Sequence, residues 1–400
     1  MTFDIAGVRA SYPALGDGYA YLDGAAGTQV PLSVVEAISA AYRGGLGNLG
    51  GAFAASDRSG EIVAAARSAI ADLVGGDAAG VILGPNMTTL TYRLAETISR
   101  TWAAGDEVVV SRLDHDANVR PWVQAAGRAG AVVRWAEVDP LSGELPVAQY
   151  DDLLSARTRF VALTAASNLI GTRPDVAAVC RKARDAGALS YVDGVHATPH
   201  APIDVASFGA DFYATSAYKW SGPHIGAVVA SPGLLASLHP DKLQPSPESV
   251  PERFEQGTLP FADLAGVVAA VEHLASIEPA ASSSRRERLL ASMTSVESYE
   301  GALFASLLRG LGEMDHVTTY GNAQLRAPTT CFNVAGRTPR EVARHLGEHK
   351  VNVWNGDNYA FELAGVLKIR EGGGAVRAGI VHYNDQSDVD RLLAAVAELG

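Results

Sequence analysis

The chain has 400 residues, with 32 lysines and arginines against 44 aspartates and glutamates, and a net charge of −12 at pH 7. Two cysteines are too few for a disulfide framework, and no Cys-x-x-Cys pair is present to bind zinc. The acidic balance argues against nucleic acid as a partner. No apolar run of about 18 residues and no signal-peptide pattern is present, so we expect no membrane span. These features predict a soluble, cytoplasmic protein and leave enzyme and scaffold both open.

Short β-branched runs alternate with amphipathic stretches from about residue 80 onwards. The runs are 81–83, 107–111, 131–138, 159–164 and 188–193, and the helical stretches between them include 88–102 and 175–186. This alternation predicts βαβ units and a mostly parallel sheet, and so an α/β fold. Two further apolar runs, 211–215 and 225–230, are expected to continue the sheet.

The alternation stops near residue 278. Residues 278–290 are small and polar and predict a linker into a long helix near 285–311. The remaining elements predict a smaller α+β unit, with strands at 329–336, 351–354 and 375–383 and helices at 339–349 and from 386. We therefore expect a large domain over 18–280 and a small C-terminal domain over 281–400, with residues 1–17 packing against the small one.

Two patterns look functional but have simpler explanations. The glycines of 45–50 match a dinucleotide-binding pattern, yet the segment before them predicts a helix where that mechanism needs a strand, so a flexible connection fits better. Asp193, His196 and His200 have a spacing that could hold a metal. Pro199 breaks the helix that would place them on one face, so we expect no metal site.

The strongest functional pattern lies in residues 191–230. Asp193 ends an apolar strand, at the edge where ligands bind in parallel sheets. Lys219 follows between Tyr218 and Trp220, and burial there would lower its pKa and make the amine nucleophilic. An aspartate and a lysine are the two anchors of a pyridoxal phosphate (PLP) enzyme. An ordinary buried ion pair explains the spacing equally well.

Motifs around these residues resemble the class V aminotransferases of PLP fold type I, in the cysteine desulfurase and selenocysteine lyase branch. The resemblance runs from YLDGAAGTQVP (21–31) to VRAGIVHYN (376–384). It is closest to a cysteine desulfurase-like subgroup that shares stretches similar to GPNMTTLTYRL, RLDHDANVRPW and AYKWSGPH. It implies a large domain with a mostly parallel seven-stranded sheet, a small α+β C-terminal domain, PLP as cofactor and a homodimer with shared active sites.

The resemblance also implies roles for single residues. Lys219 would carry the cofactor as a Schiff base, Asp193 would pair with the pyridinium nitrogen, and His115 would stack on the ring and help proton transfer. The other implied cofactor contacts are Asn168 and His196 near the phenolic oxygen, Met87, Thr88, Ser216 and Tyr218 at the phosphate, and Gly257 and Thr258 reaching the phosphate of the neighbouring subunit. Tyr218 stands where many relatives have a histidine.

The loop expected to lie near the substrate departs from the family pattern. Arg377 would clamp the substrate α-carboxylate, as the resemblance implies. Cysteine desulfurases take up sulfur on a loop cysteine, whereas the position that aligns with it here is Tyr359. Cys180 and Cys331 lie in apolar stretches and are interpreted as buried core residues. The loop could form a substrate pocket wall through Trp354, Asn355, Asp357 and Tyr359, or pack only at a dimer interface.

These features predict an enzyme that deprotonates an amino acid at Cα, with Lys219 as the base. The reaction we expect is a C–S (or C–Se) lyase reaction on cysteine or a cysteine S-conjugate, without a persulfide cysteine. An aminotransferase or an amino-acid epimerase would use the same residues. A catalytically inactive PLP-fold binding module and a metal-dependent hydrolase remain alternatives from other classes.

Overall fold

The computed structural model describes residues 3–278 and 284–400. The strands are β1 (Ala20–Tyr21), β2 (Val81–Gly84), β3 (Glu107–Ser111), β4 (Val132–Ala136), β5 (Thr158–Thr164), β6 (Leu189–Asp193), β7 (Phe212–Ser216), β8 (Gly226–Ala230), β9 (Val317–Tyr320), β10 (Thr329–Val334), β11 (Val351–Asn352), β12 (Trp354–Gly356) and β13 (Ala375–Gly379). The α-helices are α1 (Ile5–Ala10), α2 (Leu32–Gly44), α3 (Ala54–Val74), α4 (Met87–Ile98), α5 (Arg120–Ala129), α6 (Tyr150–Leu153), α7 (Val176–Asp185), α8 (Val205–Phe208), α9 (Pro232–Ser237), α10 (Phe261–Ala275), α11 (Arg285–Gly312), α12 (Pro339–Glu348), α13 (Phe361–Val366) and α14 (Gln386–Ala397).

A seven-stranded sheet organises the larger part of the chain, in the order β2-β8-β7-β6-β5-β3-β4. The five strands from β7 to β4 are parallel, and β8 runs antiparallel to both β7 and β2. Side chains alternate between two hydrophobic clusters: Val109 packs on one face, and Val108 and Val110 pack on the other. A sheet covered on both faces requires such continuous apolar strands. The predicted α/β fold with a mostly parallel seven-stranded sheet is confirmed.

A second, four-stranded antiparallel sheet lies in the C-terminal part, in the order β12-β13-β10-β9. The prediction of a single strand at 351–354 is wrong, because the chain changes its pairing partner at Val353. Strand β11, before it, pairs with β1, and strand β12, after it, pairs with β13. The strand predicted at 375–383 ends at Gly379. The sequence analysis also missed β9, whose four residues are all partly or fully exposed and so show no apolar pattern.

The start of the chain packs against the C-terminal part. In α1, Arg9 donates to the Tyr383 carbonyl at 2.8 Å and to Asp388 at 2.9 Å. Strand β1 also pairs with β11 of the C-terminal part. The predicted linker and domain boundary fall in part on residues 279–283, which lie outside the described residues, and the division into two domains stays a prediction.

Two further sequence expectations concern loops and membranes. The glycine-rich segment 45–50 follows α2 and precedes α3, so the helix predicted before it is confirmed, and no strand leads into it. No helix in the part of the chain that the structure describes is both long enough and apolar enough to cross a membrane.

Candidate functional site

A cavity opens at the carboxyl ends of the parallel strands, beside the first turn of α4. Ligands bind at this edge in open α/β sheets, because the strand ends and helix starts meet there. Nine of the eleven predicted cofactor residues line it: Met87, Thr88, His115, Asn168, Asp193, His196, Ser216, Tyr218 and Lys219. The structure therefore brings together residues that lie as much as 132 positions apart in the chain, and their individual roles stay predictions.

Lys219 lies in a short 3₁₀ turn directly after β7, and its side chain is buried. Its Nζ donates a hydrogen bond to the carbonyl of Ala25. Burial, together with the positive charge of Arg377, lowers the pKa of Lys219 to about 7, although Asp193 opposes this shift. About half of the amine is therefore neutral at pH 7 and available as a nucleophile or base.

Asp193 ends β6, and its Oδ1 accepts the Val195 N–H at 2.9 Å. Burial raises the pKa of Asp193 to about 6, against the opposing effects of that N–H and of Lys219. Asp114, which the sequence analysis missed, is a second buried carboxyl whose pKa burial raises to about 7. Its position just before His115, three residues beyond the end of β3, is the signal that could have identified it.

The two histidines of the cavity are neutral. His115 Nδ1 accepts the Ala117 N–H at 3.0 Å, so its ring proton lies on Nε2. Burial, with Lys219 and Arg377, lowers the pKa of His115 to about 3. His196 is fully enclosed, and burial holds its pKa well below the usual value. Its Nε2 lies 3.0 Å from Thr329 Oγ1.

The first turn of α4 forms the other wall of the cavity. The Met87 N–H donates to Ser216 Oγ at 3.0 Å, and the Thr89 N–H donates to the Asn86 side chain at 2.8 Å. Among the described residues the Thr88 N–H has no acceptor. A free N–H at a helix N-terminus attracts an anion such as a phosphate.

Gly226 of β8 makes this arrangement possible. A Cβ at that position would lie 2.2 Å from the carbonyl carbon of Asn86 and 2.6 Å from the Met87 nitrogen. No side chain tolerates such contacts with backbone atoms, so only glycine lets β8 approach the start of α4 this closely.

The polar groups of the cavity fit PLP. Asn168 Oδ1 and His196 Nδ1 are buried without a hydrogen-bond partner in the described part of the chain. Buried polar atoms normally find partners, so these two atoms are suited to hydrogen-bond a polar ligand. The cavity also supplies the other groups that this cofactor needs: a free N–H for its phosphate, a carboxyl for its ring nitrogen and an amine for its aldehyde.

A larger open cleft of about 1970 Å³ continues outwards from this cavity. It shares Thr88, His115, Asn168, Tyr218 and Lys219 with the inner cavity, and the predicted substrate residues Arg377, Asn355 and Tyr359 line it. Arg377 lies on β13 and is 5% exposed, and its Nη1 donates to the Asn168 carbonyl at 2.9 Å. Burial lowers the pKa of Arg377 to about 10, so the guanidinium stays charged at neutral pH.

The loop after β12 covers His115. The Tyr359 ring stacks on His115 with centroids 5.5 Å apart, and the Tyr359 carbonyl accepts the Asp116 N–H at 2.7 Å. Asn168 Nδ2 donates to the Asn358 carbonyl at 2.8 Å. Asn358 and Tyr359 both adopt left-handed backbone angles, with φ of 52° and 58°. Such residues are held by their surroundings, and here two backbone carbonyls attach the loop to the cavity rim.

Five of the remaining candidates lie outside both cavities. Gly257 and Thr258 are exposed on a loop and line neither cavity. Cys180 and Cys331 are buried, as expected, and burial raises their pKa values to about 11 and about 12. His200 faces Glu300, with Nδ1 at 2.7 Å from a carboxylate oxygen.

A buried hydrogen-bond network behind Lys219 was missed from the sequence. The Tyr12 hydroxyl lies 2.7 Å from Ser221 Oγ, 2.9 Å from His273 Nε2 and 2.7 Å from His382 Nε2. Ser221 has a φ of 69°, which a serine rarely adopts, and its N–H donates to Thr28 Oγ1 at 2.7 Å. The network therefore fixes the turn that carries Lys219. No sequence pattern links these separate segments.

Comparisons with known proteins give a consistent result. The family model described as Aminotransferase class-V matches residues 20–392. An uncharacterised protein of Mycobacterium tuberculosis is 38% identical over the full length of both chains, and a probable cysteine desulfurase of Pseudomonas aeruginosa is 32% identical over 97% of this chain and 96% of its own. A cysteine desulfurase structure from Escherichia coli has a TM-score of 0.87 and 29% identity, covering 100% of this chain and 99% of its own. One from Thermococcus onnurineus has a TM-score of 0.89 and 26% identity, covering 100% and 98%.

Proposed function

Because the chain belongs to the class V aminotransferase family, we propose that it cleaves the C–S (or C–Se) bond of cysteine or a cysteine S-conjugate without using a cysteine of its own. It is a PLP-dependent enzyme of the cysteine desulfurase-like kind. One observation carries the proposal: Tyr359, and no cysteine, stands on the loop over His115, while both cysteines are buried outside the two cavities.

Bound PLP supplies an aldehyde for the substrate amine and a ring that accepts the electrons of Cα. In the proposed arrangement Lys219 attaches it, Asp193 keeps the ring nitrogen protonated, and the Thr88 N–H faces its phosphate. Asn168 Oδ1 and His196 Nδ1, the two atoms of the cavity without a partner in the described part of the chain, would accept or donate hydrogen bonds to its polar groups.

Lys219 acts as the base that removes the Cα proton. Its pKa of about 7 keeps about half of the amine neutral at pH 7, which an ordinary lysine would not achieve. Arg377 contributes to this, because its charge lowers the pKa of Lys219. In the proposed arrangement the same guanidinium binds the substrate α-carboxylate from the outer cleft, while Lys219 acts on the adjacent Cα.

The leaving group departs towards the outer cleft, where Tyr359 lies. The electrons of the C–S bond leave with sulfur, and we propose that the Tyr359 phenol donates a proton to the thiolate. With cysteine and water as reactants, the products are sulfide, pyruvate and ammonia. A phenol cannot accept sulfur as a thiol does, so the sulfur leaves as free sulfide or thiol.

The proposed assembly is a homodimer that shares its active sites. Gly257 and Thr258 are exposed and line neither cavity of their own chain, which leaves them free to contact a neighbouring subunit. In that arrangement they would contact the phosphate of the neighbouring subunit, as the family resemblance implies.

A substrate screen of the purified holoenzyme tests the proposed reaction. L-cysteine, cysteine S-conjugates and L-alanine, each with and without an oxo acid, are the substrates. Sulfide or thiol appearing with pyruvate and ammonia supports the lyase reaction. Exchange of amino groups with the oxo acid would show that the enzyme is an aminotransferase and not a lyase. Loss of optical rotation alone would show that it is an epimerase. A protein that holds PLP and changes none of these substrates would be a binding module.

A further inference from the structure

A second cluster of chemically active side chains lies in the C-terminal part, outside both cavities. His345 and His349 stand at the end of α12, and Glu398 follows the end of α14. Glu398 Oε2 lies 3.6 Å from His345 Nε2 and 3.1 Å from His349 Nε2. Among the residues 3–278 and 284–400, this is the only group of three or more histidines, cysteines or carboxylates whose ligand atoms converge, all within 4.8 Å of one another.

The convergence follows from helix geometry. His345 and His349 are four residues apart, which places their rings one helical turn apart on the same face, with centroids 4.4 Å from each other. Leu346 and Val342 of the same helix are buried in the hydrophobic cluster that also contains residues of α14. Packing of the two helices therefore holds the histidine pair against Glu398.

Two hydrogen bonds orient the imidazole rings. His349 Nδ1 lies 2.9 Å from the His345 carbonyl, to which it donates, and this bond turns Nε2 towards Glu398 Oε2 at 3.1 Å. A bond of this kind, from the second ring nitrogen to a carbonyl, is how proteins orient histidine ligands for metals. A cation bound between Nε2 and the carboxylate would take the place of any proton there. His345 Nε2 lies 2.9 Å from the Ala395 carbonyl.

The Ala395 carbonyl adds a fourth donor at the same place. It lies in the last turn of α14, where helix carbonyls lack N–H partners and carry partial negative charge. Without a cation, His345 Nε2–H donates to this carbonyl. A cation bound between the two groups would take the place of that proton, and the ring proton would move to Nδ1.

We propose that His345, His349 and Glu398 bind a zinc ion, with the Ala395 carbonyl beside it. Zinc bonds of about 2.0–2.2 Å in a tetrahedron place ligand atoms about 3.3–3.6 Å apart, and the two separations from Glu398 are 3.1 and 3.6 Å. Two imidazole nitrogens and a carboxylate suit zinc, whereas magnesium and calcium require oxygen ligands. The ion would join the ends of α12 and α14, and so stabilise the C-terminal part of the chain.

The test is a calorimetric titration of the chelator-treated holoenzyme with zinc sulfate, followed by thermal melting with and without zinc. We expect one zinc per chain and a higher Tm in zinc, because only the folded chain presents the three ligands together. His349→Ala should weaken zinc binding by at least about tenfold and abolish the Tm increase. Glu398→Gln, which keeps the side-chain size, should weaken it as well.

His316→Ala is the matched control. His316 Nε2 also lies near a carbonyl of α14, that of Val396 at 3.1 Å, but within the described ranges His316 belongs to no group of three converging ligand side chains. Its removal should leave zinc affinity unchanged. The proposal is overturned if the natural chain binds no zinc, or if His349→Ala and Glu398→Gln bind it as tightly as the natural chain while folding normally by circular dichroism.

Discussion

The inner cavity and the outer cleft of the site are built in different ways. Lys219 and Asp193 in the inner cavity are 9% and 5% exposed. Asp193 ends β6 of the central sheet, and Lys219 lies in the turn directly after β7. Trp354 and Tyr359 in the outer cleft are 52% and 73% exposed, and they lie on a short edge strand and the loop after it. In the proposed mechanism the buried set carries the cofactor chemistry, and the exposed set acts on the substrate side chain.

The largest expected effect belongs to the inner cavity. Lys219→Ala removes both the attachment point of PLP and the proposed base, so turnover should fall by about 10²–10⁴-fold. Borohydride should no longer fix the cofactor to the protein, as mass spectrometry would show. Lys182→Ala, at a surface lysine paired with Asp151, is the control. It should change neither turnover nor the fixation of the cofactor by borohydride. A reducible bond that survives in Lys219→Ala would mean that another lysine carries the cofactor.

The second prediction concerns the protonation of Lys219 before the cofactor binds. Only a neutral amine attacks an aldehyde, so the rate at which the apoprotein captures PLP should increase with pH and reach half its maximum near the pKa of about 7. Arg377→Gln should move this midpoint upwards, because the charge of Arg377 lowers the pKa of Lys219. A midpoint near the ordinary lysine value of 10.5 would show that the cavity does not desolvate the amine.

The same contrast explains what could be predicted from the sequence. The nine residues around the inner cavity stand at strand ends and helix starts, in the order of the family motifs, so apolar runs and motifs together identify them. The Tyr12 network joins separate segments and leaves no pattern in the sequence. The change of partners at Val353, which creates β12, depends on pairing with β13 and not on local hydrophobicity. The assignments of Gly257 and Thr258 stay predictions.

A smaller effect should follow from crowding the start of α4. In Gly226→Ala the new Cβ would meet the Asn86 carbonyl carbon at 2.2 Å, so the first turn of α4 must move away from the phosphate position. Overpacking of this kind costs about 1–3 kcal/mol, and we expect PLP affinity to fall by roughly tenfold or more. Gly233→Ala, where a Cβ meets nothing within 4 Å, is the control in equilibrium binding. Equal affinities in the two variants would refute the phosphate assignment.

The network behind Lys219 should affect stability. Tyr12→Phe removes the hydroxyl that Ser221, His273 and His382 share. His273 Nε2 then loses its partner, and Ser221 Oγ and His382 Nε2 keep only their mutual contact at 3.3 Å. The free energy of unfolding should fall by about 1–3 kcal/mol, as measured by urea denaturation of the holoenzyme. Tyr42→Phe, at an exposed tyrosine on α2, should leave it unchanged. An unaltered stability in Tyr12→Phe would show that the network does not hold the lysine turn.

The smallest effect is expected in the outer cleft. Tyr359→Phe removes the proposed proton donor but keeps the ring that stacks on His115. A thiolate leaves without full protonation, so kcat should fall by only about tenfold, below the usual range for proton transfer. PLP binding should not change. Tyr92→Phe, on the wall of the same cleft, is the control. If both variants keep full activity, Tyr359 plays no part in expelling the leaving group.

The products formed from L-cysteine test the central claim most directly. The holoenzyme is incubated with L-cysteine, alanine and pyruvate are quantified together with sulfide, and the intact protein is weighed by mass spectrometry. An enzyme that uses no cysteine of its own should release pyruvate and sulfide in equal amounts, with no added sulfur on the protein. Alanine as the product, with a persulfide on Cys180 or Cys331, would contradict the account.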